Sequence, residues 1–560
     1  MPKAATSFAA TPFLYYAIAL AALLGFSILA SLNRKAVART WNVEWLFLTL
    51  AGCTVLVWRW PAMLWPYPFN IDEGAFAACA LKATKDLAPW RGFDAGSSGP
   101  LNPDILALPA LFGGEITFFS TRVIGICLLL AAIYLLYFIV KWTEGEAVAR
   151  IAVVPPVTLL SLTRARDFLQ YSSEQLPIFL TTLALGGAVF LATRAQTKVS
   201  RLASCAVSGL ALGSVAFAKL QALPIASAIL AFLVGLILLR RSAPLAIKWA
   251  ELTTVLVTLC SVPAVMVLSL WKTGQWHYAI NSYLGSAATY VATGGRVGLS
   301  FLFGTVPSYT VFAACSFLAI VTGLIALCWR GGWRSRSFRT LAFAFAFLLV
   351  CFLVIYLPGR AFPHYLLLSV LPLALCVAYV VGVVFKAYLW QGKDALVSGA
   401  IVAWFVLPAL TTALALPNPY LRYFFSEIPL APDPRVQAIA HYAPPGSRIA
   451  IWGWMPQFYV FTQTIMATRD HQTGGLISAG PDRSTARKLY VSDLRVARPL
   501  MFVDAVAPGC FGYSDRATQG YQVFPELAAF INDNYLFKEE VEGVRIFVAK
   551  GEKGTVEAAR

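Results

Sequence analysis

The stretch "PFNIDEGAF", residues 68–76, sets two adjacent carboxylates, Asp72 and Glu73, directly behind an apolar run at 43–64. A bilayer takes roughly 17–25 apolar residues to cross, so the run reads as a membrane span and the acids as the start of a loop. Working outward, comparable runs recur to residue 416. The spans fall near 11–32, 43–64, 119–140, 151–163, 176–193, 202–218, 224–239, 250–271, 301–329, 340–357, 365–386 and 395–416. The piece at 151–163 carries Pro155 and Pro156, which predicts a kinked or tilted segment.

Composition supports this reading. Of 560 residues, 59% are hydrophobic and 13% charged, whereas a soluble domain carries about 25% charged residues. Mean hydropathy is +0.69. The expected fold class is a polytopic α-helical membrane protein of about twelve spans, with a C-terminal α/β domain outside the membrane.

A net charge of +17 would suggest nucleic acid in a soluble chain. Here the cations collect in short loops between spans: Arg34, Lys35 and Arg39; Lys141 and Arg150; Arg194, Lys198 and Arg201; Arg240, Arg241 and Lys248; Arg330, Arg334, Arg336 and Arg339; Lys386 and Lys393. They fall in every second loop, as cytoplasmic loops do, which leaves both termini on the outer face. The first run is long, follows a single Lys and precedes "SLNRKAVAR", so it reads as an anchor rather than a cleaved signal. The ten cysteines are scattered without a CxxC pair, and Cys79 with Cys510 is the pairing open outside the bilayer. With four histidines, no His/Cys metal cluster is formed.

The outer loops are 65–118, "RARDFLQYSSEQ" at 164–175, 272–300 and "LPGRAFPHY" at 357–365. The run after Asp72 and Glu73, "AFAACALKATKDL", has helical apolar spacing and predicts an amphipathic helix along the membrane face with the acids at its N-terminus. The tail predicts strands at "RIAIWGW", "PLMFVDAV" and "VRIFVAK", and helices at "PDRSTARKLYVSDLRVA" and "FPELAAFINDNY". Two domains follow: 1–416 in the membrane, with the large loop 65–118, and 417–560 outside.

Several outer residues suit chemistry. Asp72 and Glu73 either mark a span end or accept a proton. Arg360 and His364 flank a turn beside Tyr365; they fit a snorkelling cation with an aromatic belt or an anion site. Lys219 interrupts "SVAFAKLQALP" and reads as a snorkelled loop lysine or a phosphate ligand. Arg122, Arg164 and Arg166 are further cations, Glu174 a further acid and Asn102 a further polar candidate. Trp452 and Trp454 read as packed at a strand end, and His471 in "TRDHQTGG" as a loop residue that could approach the site. Carboxylates that deprotonate an acceptor hydroxyl, with cations that neutralise a departing lipid phosphate, make a coherent set. A lipid carrier suits a face without nucleotides.

These residues resemble the GT-C membrane glycosyltransferases, nearest the bacterial group related to protein O-mannosyltransferases and the lipid A aminoarabinose transferase. "NIDEG" (70–74), "STRVIG" (120–125), "SSEQLP" (172–177), "GRAFPHYLLLSVLPLAL" (359–375) and "RIAIWGWMPQFYV" (448–460) carry the likeness by their order and sidedness. The resemblance implies Asp72 as general base with Glu73 supporting it, and Arg360, His364, Tyr365 and, more weakly, Lys219 on the donor phosphate. It implies a polyprenyl-phosphate sugar donor, a glycan, lipid or protein acceptor, inversion at the anomeric carbon, and a bacterial inner membrane with the tail on the periplasmic side. A divalent Mg or Mn ion at Asp72 and Glu73 stays open. Relatives often have Lys-Pro-Pro where this chain has "SSGPLNP", and the leading span is extra. The rival reading is a transporter or flippase of a lipid-linked glycan; scarce ionisable residues within spans and absent internal repeats weigh against it.

Overall fold

The computed structural model describes residues 11–32, 42–241, 243–330, 335–388, 394–426, 432–477 and 483–551. Arg34, Lys35, Arg39, Arg334 and Lys393 lie outside the described residues. The long helices and those that carry the site are α1 (Pro12–Ser31), α2 (Asn42–Met63), α3 (Ile71–Ala83), α4 (Phe118–Thr143), α5 (Glu146–Leu162), α6 (Gln175–Thr193), α7 (Lys198–Ala218), α8 (Leu223–Leu238), α9 (Leu245–Thr273), α10 (Pro307–Arg330), α11 (Ser335–Tyr356), α12 (Leu367–Tyr388), α13 (Asp394–Ala415), α14 (Gln457–Thr462), α15 (Arg483–Ala497) and α16 (Pro525–Asn534). Among the described residues, ten helices are long and apolar enough to cross a membrane. The other two expected spans are present as α5 and α11, of which α5 has 17 residues. At 1.5 Å per residue that is about 26 Å, short of a hydrocarbon core of roughly 30 Å. Pro155 and Pro156 lie inside α5, whose residues from Val148 to Leu162 are all buried.

Contacts divide the chain into two units: residues 1–65, 125–266 and 287–427, and residues 66–124, 267–286 and 428–560. In the first, α12 is the central helix, packed by α5, α10 and α11 and buried along nearly its whole apolar length. Small residues let α7 and α9 meet backbone to backbone. A Cβ on Gly209 would fall 2.6 Å from Val255 O, and one on Gly213 2.1 Å from Leu259 O. This is the close approach that glycines four apart permit between membrane helices.

The second unit holds a five-stranded sheet of β1 (Arg448–Trp452), β2 (Ile465–Met466), β3 (Met501–Asp504), β4 (Tyr535–Val541) and β5 (Val544–Ala549), in the order β2-β1-β3-β5-β4. β1 is parallel to β2 and β3; β5 is antiparallel to β3 and β4. Its core gathers Trp452, Tyr490, Phe502, Phe524 and Phe547. Trp452 donates from Nε1 to Gln519 O and packs on Tyr490 and Phe524, so it is a core residue.

One expectation needs correction. The helix after Asp72 forms, but it is not a surface amphipath: residues 73–81 of α3 are all buried, against α14 and β2. Its "GAFAACA" sequence presents small residues all round, the pattern of an enclosed helix. A Cβ on Gly74 would sit 3.1 Å from Gln457 N. Cys79 and Cys510 are both free thiols, so no disulfide joins them.

Candidate active site

Asn70 caps α3. Its side chain accepts from Asp72 N at 2.9 Å and Glu73 N at 3.2 Å, satisfying two of the N–H groups that a helix start leaves open. Both carboxylates therefore lie in the first turn, where the helix dipole favours negative charge. "N-x-D-E" carried this signal, and sequence reasoning missed the cap.

The two acids differ. Glu73 is fully enclosed and meets Arg122, also enclosed, through two parallel bonds: Nε to Oε1 at 2.7 Å and Nη2 to Oε2 at 2.8 Å. Phe69 N donates to Oε2 at 2.9 Å, and Arg122 Nη2 to Tyr67 O at 2.7 Å. The guanidinium also lies 4.0 Å from the Phe69 ring centre. Such a forked pair is strong and geometrically specific. With both oxygens engaged by cation and backbone, Glu73 does not fit a metal ligand. Among the described residues no group of three or more His, Cys, Asp or Glu is placed to hold a metal. Asp72 is half-buried.

The same unit contains acids that sequence reasoning did not single out. Asp94 follows α3 in the large loop, and its N–H donates to Arg469 O at 2.9 Å, tying that loop to the tail. Tyr278 places its hydroxyl 2.9 Å from Asp94 Oδ2 and 3.4 Å from Asp470 Oδ1. One hydroxyl carries one proton, so closing both contacts takes a proton on a carboxyl. Burial and the neighbouring Asp94 and Asp493 charges push Asp470 up to about 7, which suits it to that role. His471 lies 2.9 Å from Asp94 O through Nδ1. A carbonyl only accepts, so Nδ1 carries the hydrogen. Burial holds His471 below its usual range, against the opposing pull of Asp94 and Asp72. The tail thus brings His471 into the field of Asp72. "FDAG" and "RDH" were visible in the sequence, but their pairing spans more than 370 positions, 377 for His471 and Asp94.

Arg469 fixes these pieces. It forms a forked pair with Asp493, at 2.9 and 2.8 Å, and donates to Trp90 O at 3.1 Å and Gln275 Oε1 at 2.8 Å. Asn102 is buried and donates from Nδ2 to Ser98 O, a bond within its own turn.

The first unit holds a separate charged group. Lys219 pairs with Glu174 and donates to Ser173 Oγ at 2.7 Å; its ammonium is 5.0 Å from the Tyr365 ring centre. His364 Nδ1 is 3.3 Å from Asp167 Oδ1, and Nε2 is 3.9 Å from Glu174 Oε1. Tyr365 and Tyr290 share a 2.8 Å hydroxyl contact. Arg360 reaches Thr293 O at 3.1 Å and Oγ1 at 2.9 Å and lies 5.1 Å from the Tyr290 ring centre, while its buried Nε has no hydrogen-bond partner. Arg360, Tyr365, His364, Lys219 and Glu174 are therefore brought together, with Asp167 and Tyr290 added by the fold. Arg164 is half-buried and Arg166 exposed.

No family model and no curated protein matches the chain. Solved structures do. ArnT from Cupriavidus metallidurans bound to undecaprenyl phosphate is similar at a TM-score of 0.57 and 10% identity, over 91% of this chain and 98% of that one. The same protein in the apo state is similar at a TM-score of 0.51 and 12% identity, over the same shares. At such identity the likeness speaks for architecture alone, and it runs through both units of this chain: the chain has the GT-C membrane fold.

Proposed function

We propose that this protein is a membrane glycosyltransferase. It moves a hexosyl or pentosyl group from a polyprenyl-phosphate donor to an acceptor hydroxyl on the outer face, with inversion. Asp72 accepts the hydroxyl proton as the oxygen attacks the anomeric carbon. The carbon–oxygen bond to phosphate breaks on the opposite side, and polyprenyl phosphate leaves with the electron pair. Arg360 and Tyr365, with His364 and Lys219, bear on that phosphate. The donor class rests on the GT-C fold and on the undecaprenyl phosphate held by the structural relative. The periplasmic side for residues 417–560 rests on the loop charges.

One observation carries the choice of base. Glu73 has both oxygens engaged by Arg122 and Phe69 N, so proton transfer falls to Asp72 and Glu73 positions the loop. The test uses purified protein in lipid with a pool of radiolabelled polyprenyl-phosphate sugars, wild type beside Asp72→Asn. Transfer that collapses in the variant while donor binding persists supports the reading. Equal transfer removes Asp72 as base. No turnover of any donor, with a membrane extract supplying acceptors, overturns the transferase reading in favour of transport.

A further inference from the structure

At the far end of α3 from Asp72, about 15 Å along the helix at 1.5 Å per residue, the second unit opens a cavity of about 500 Å³. Lys82, Lys85, Arg91, Arg448 and Arg469 line it, with two carboxylates, Asp86 and Asp493. Both acids are already neutralised. Asp86 accepts a forked pair from Arg91, at 3.0 and 2.7 Å, and Asp493 from Arg469. Lys82 donates to Met466 O at 2.7 Å, a neutral carbonyl. Among the described residues no carboxylate pairs with Lys82, Lys85 or Arg448. Five cations thus face one concave space against two carboxylates, and Asp493 and Asp86 act on Lys82 from a distance without an ion pair to it. The cations feel one another: burial first, then the Arg448 charge, holds Lys82 below the usual lysine range. A concave cluster with one sign in excess focuses its field and concentrates a counter-ion.

We infer that this cavity is a subsite for a phosphate group carried by the acceptor, seated between Lys82, Lys85 and Arg448. The inference rests on the transferase reading for the word acceptor, while the anion site stands on the cavity alone. Three unpaired cations suit a phosphate dianion, with lysines as point charges and the arginine as a fork. A volume of about 500 Å³ admits a phosphorylated sugar unit.

The test titrates inorganic phosphate into the full-length protein in phosphatidylcholine nanodiscs at low ionic strength. Lys85 and Arg448 are exposed, so Lys85→Gln with Arg448→Gln leaves the fold intact. The expected result is saturable binding that weakens about tenfold in the double variant, the scale of two partly exposed charge contacts. Lys538→Gln, an exposed charge on β4, leaves it unchanged. Equal binding by wild type and the double variant, or equal loss in Lys538→Gln, overturns the site. Phosphate binding lost on exchange into phosphatidylglycerol nanodiscs assigns the cavity to a membrane lipid and overturns the acceptor assignment. In the transfer assay the double variant raises acceptor KM at unchanged kcat and donor KM; a raised donor KM overturns the acceptor assignment. A protein that binds phosphate here and transfers nothing loses the transferase reading and the acceptor assignment, and keeps the anion site.

Discussion

The two units handle buried charge in opposite ways. In the helical unit Lys219 meets Glu174 and His364 lies between Asp167 and Glu174, while Arg360 rests on Thr293 and the Tyr290 ring. In the second unit Glu73 and Arg122 also pair, but Asp94 and Asp470 share one tyrosine hydroxyl with no cation in ion-pair range among the described residues. A compensated pair keeps its charge state and holds a shape. Asp470, buried beside the Asp94 and Asp493 charges, is pushed up to about 7. The difference separates groups that position from groups that exchange protons.

The sharpest break of that comparison is Asp72→Asn. Loss of a general base lowers kcat by about 10²- to 10⁴-fold, read as transfer at saturating donor with donor KM unchanged. Next come the compensated pairs. Arg122→Met leaves Glu73 enclosed without its cation and destabilises the second unit by about 3–5 kcal/mol, measured as the unfolding midpoint in detergent. Arg122→Met with Glu73→Gln recovers a large part of the loss, because no charge is stranded. A single variant as stable as wild type would mean that Glu73 finds other solvation.

Asp470 gives a smaller, pH-dependent effect. Its folded value near 7 lies above the ordinary carboxylate value near 4. The folded state therefore binds more protons across that window, so this group's contribution is full below about pH 4 and is lost as pH rises through about 7. Asp470→Asn removes the loss. The wild-type midpoint should fall between pH 5 and 8 more steeply than the variant's, and parallel curves would show that Asp470 titrates normally. The smallest effect belongs to the exposed pair Arg545 and Glu540, 2.8 Å apart. Glu540→Gln should shift stability by no more than about 1 kcal/mol, less at high salt.

The helices were legible because each apolar run encodes its own span; all twelve expected segments are helical, one of them short and one, 301–329, broken between Gly304 and Pro307. The strands β1, β3 and β5 were legible for the same local reason. β4 was not: "YLFKEEV" is an edge strand whose charges break the alternation that marks a buried face. β2, two residues long, leaves no period to read. At the site, the pairing of Asp72 with Glu73 was on the surface of the sequence, but their division of labour depends on Arg122, 49 residues beyond Glu73. Asp94, Tyr278 and Asp470 come from three remote segments, and no local pattern announces such a meeting. α3 shows the limit from the other side: its helical spacing was read correctly, and its surroundings were not.

Arg469 donates to Trp90 O across 379 positions of chain. A ribosome adding about 5–20 residues per second reaches Arg469 roughly 20 to 75 s after Trp90. Over that interval the large loop waits for the side chain that fastens it, with α3 deprived of the tail segments that bury it. A nascent chain arrested before residue 469 should lose this loop to protease, and the finished protein should keep it. The segment that carries Arg469 would then decide when the first outer loop acquires its shape.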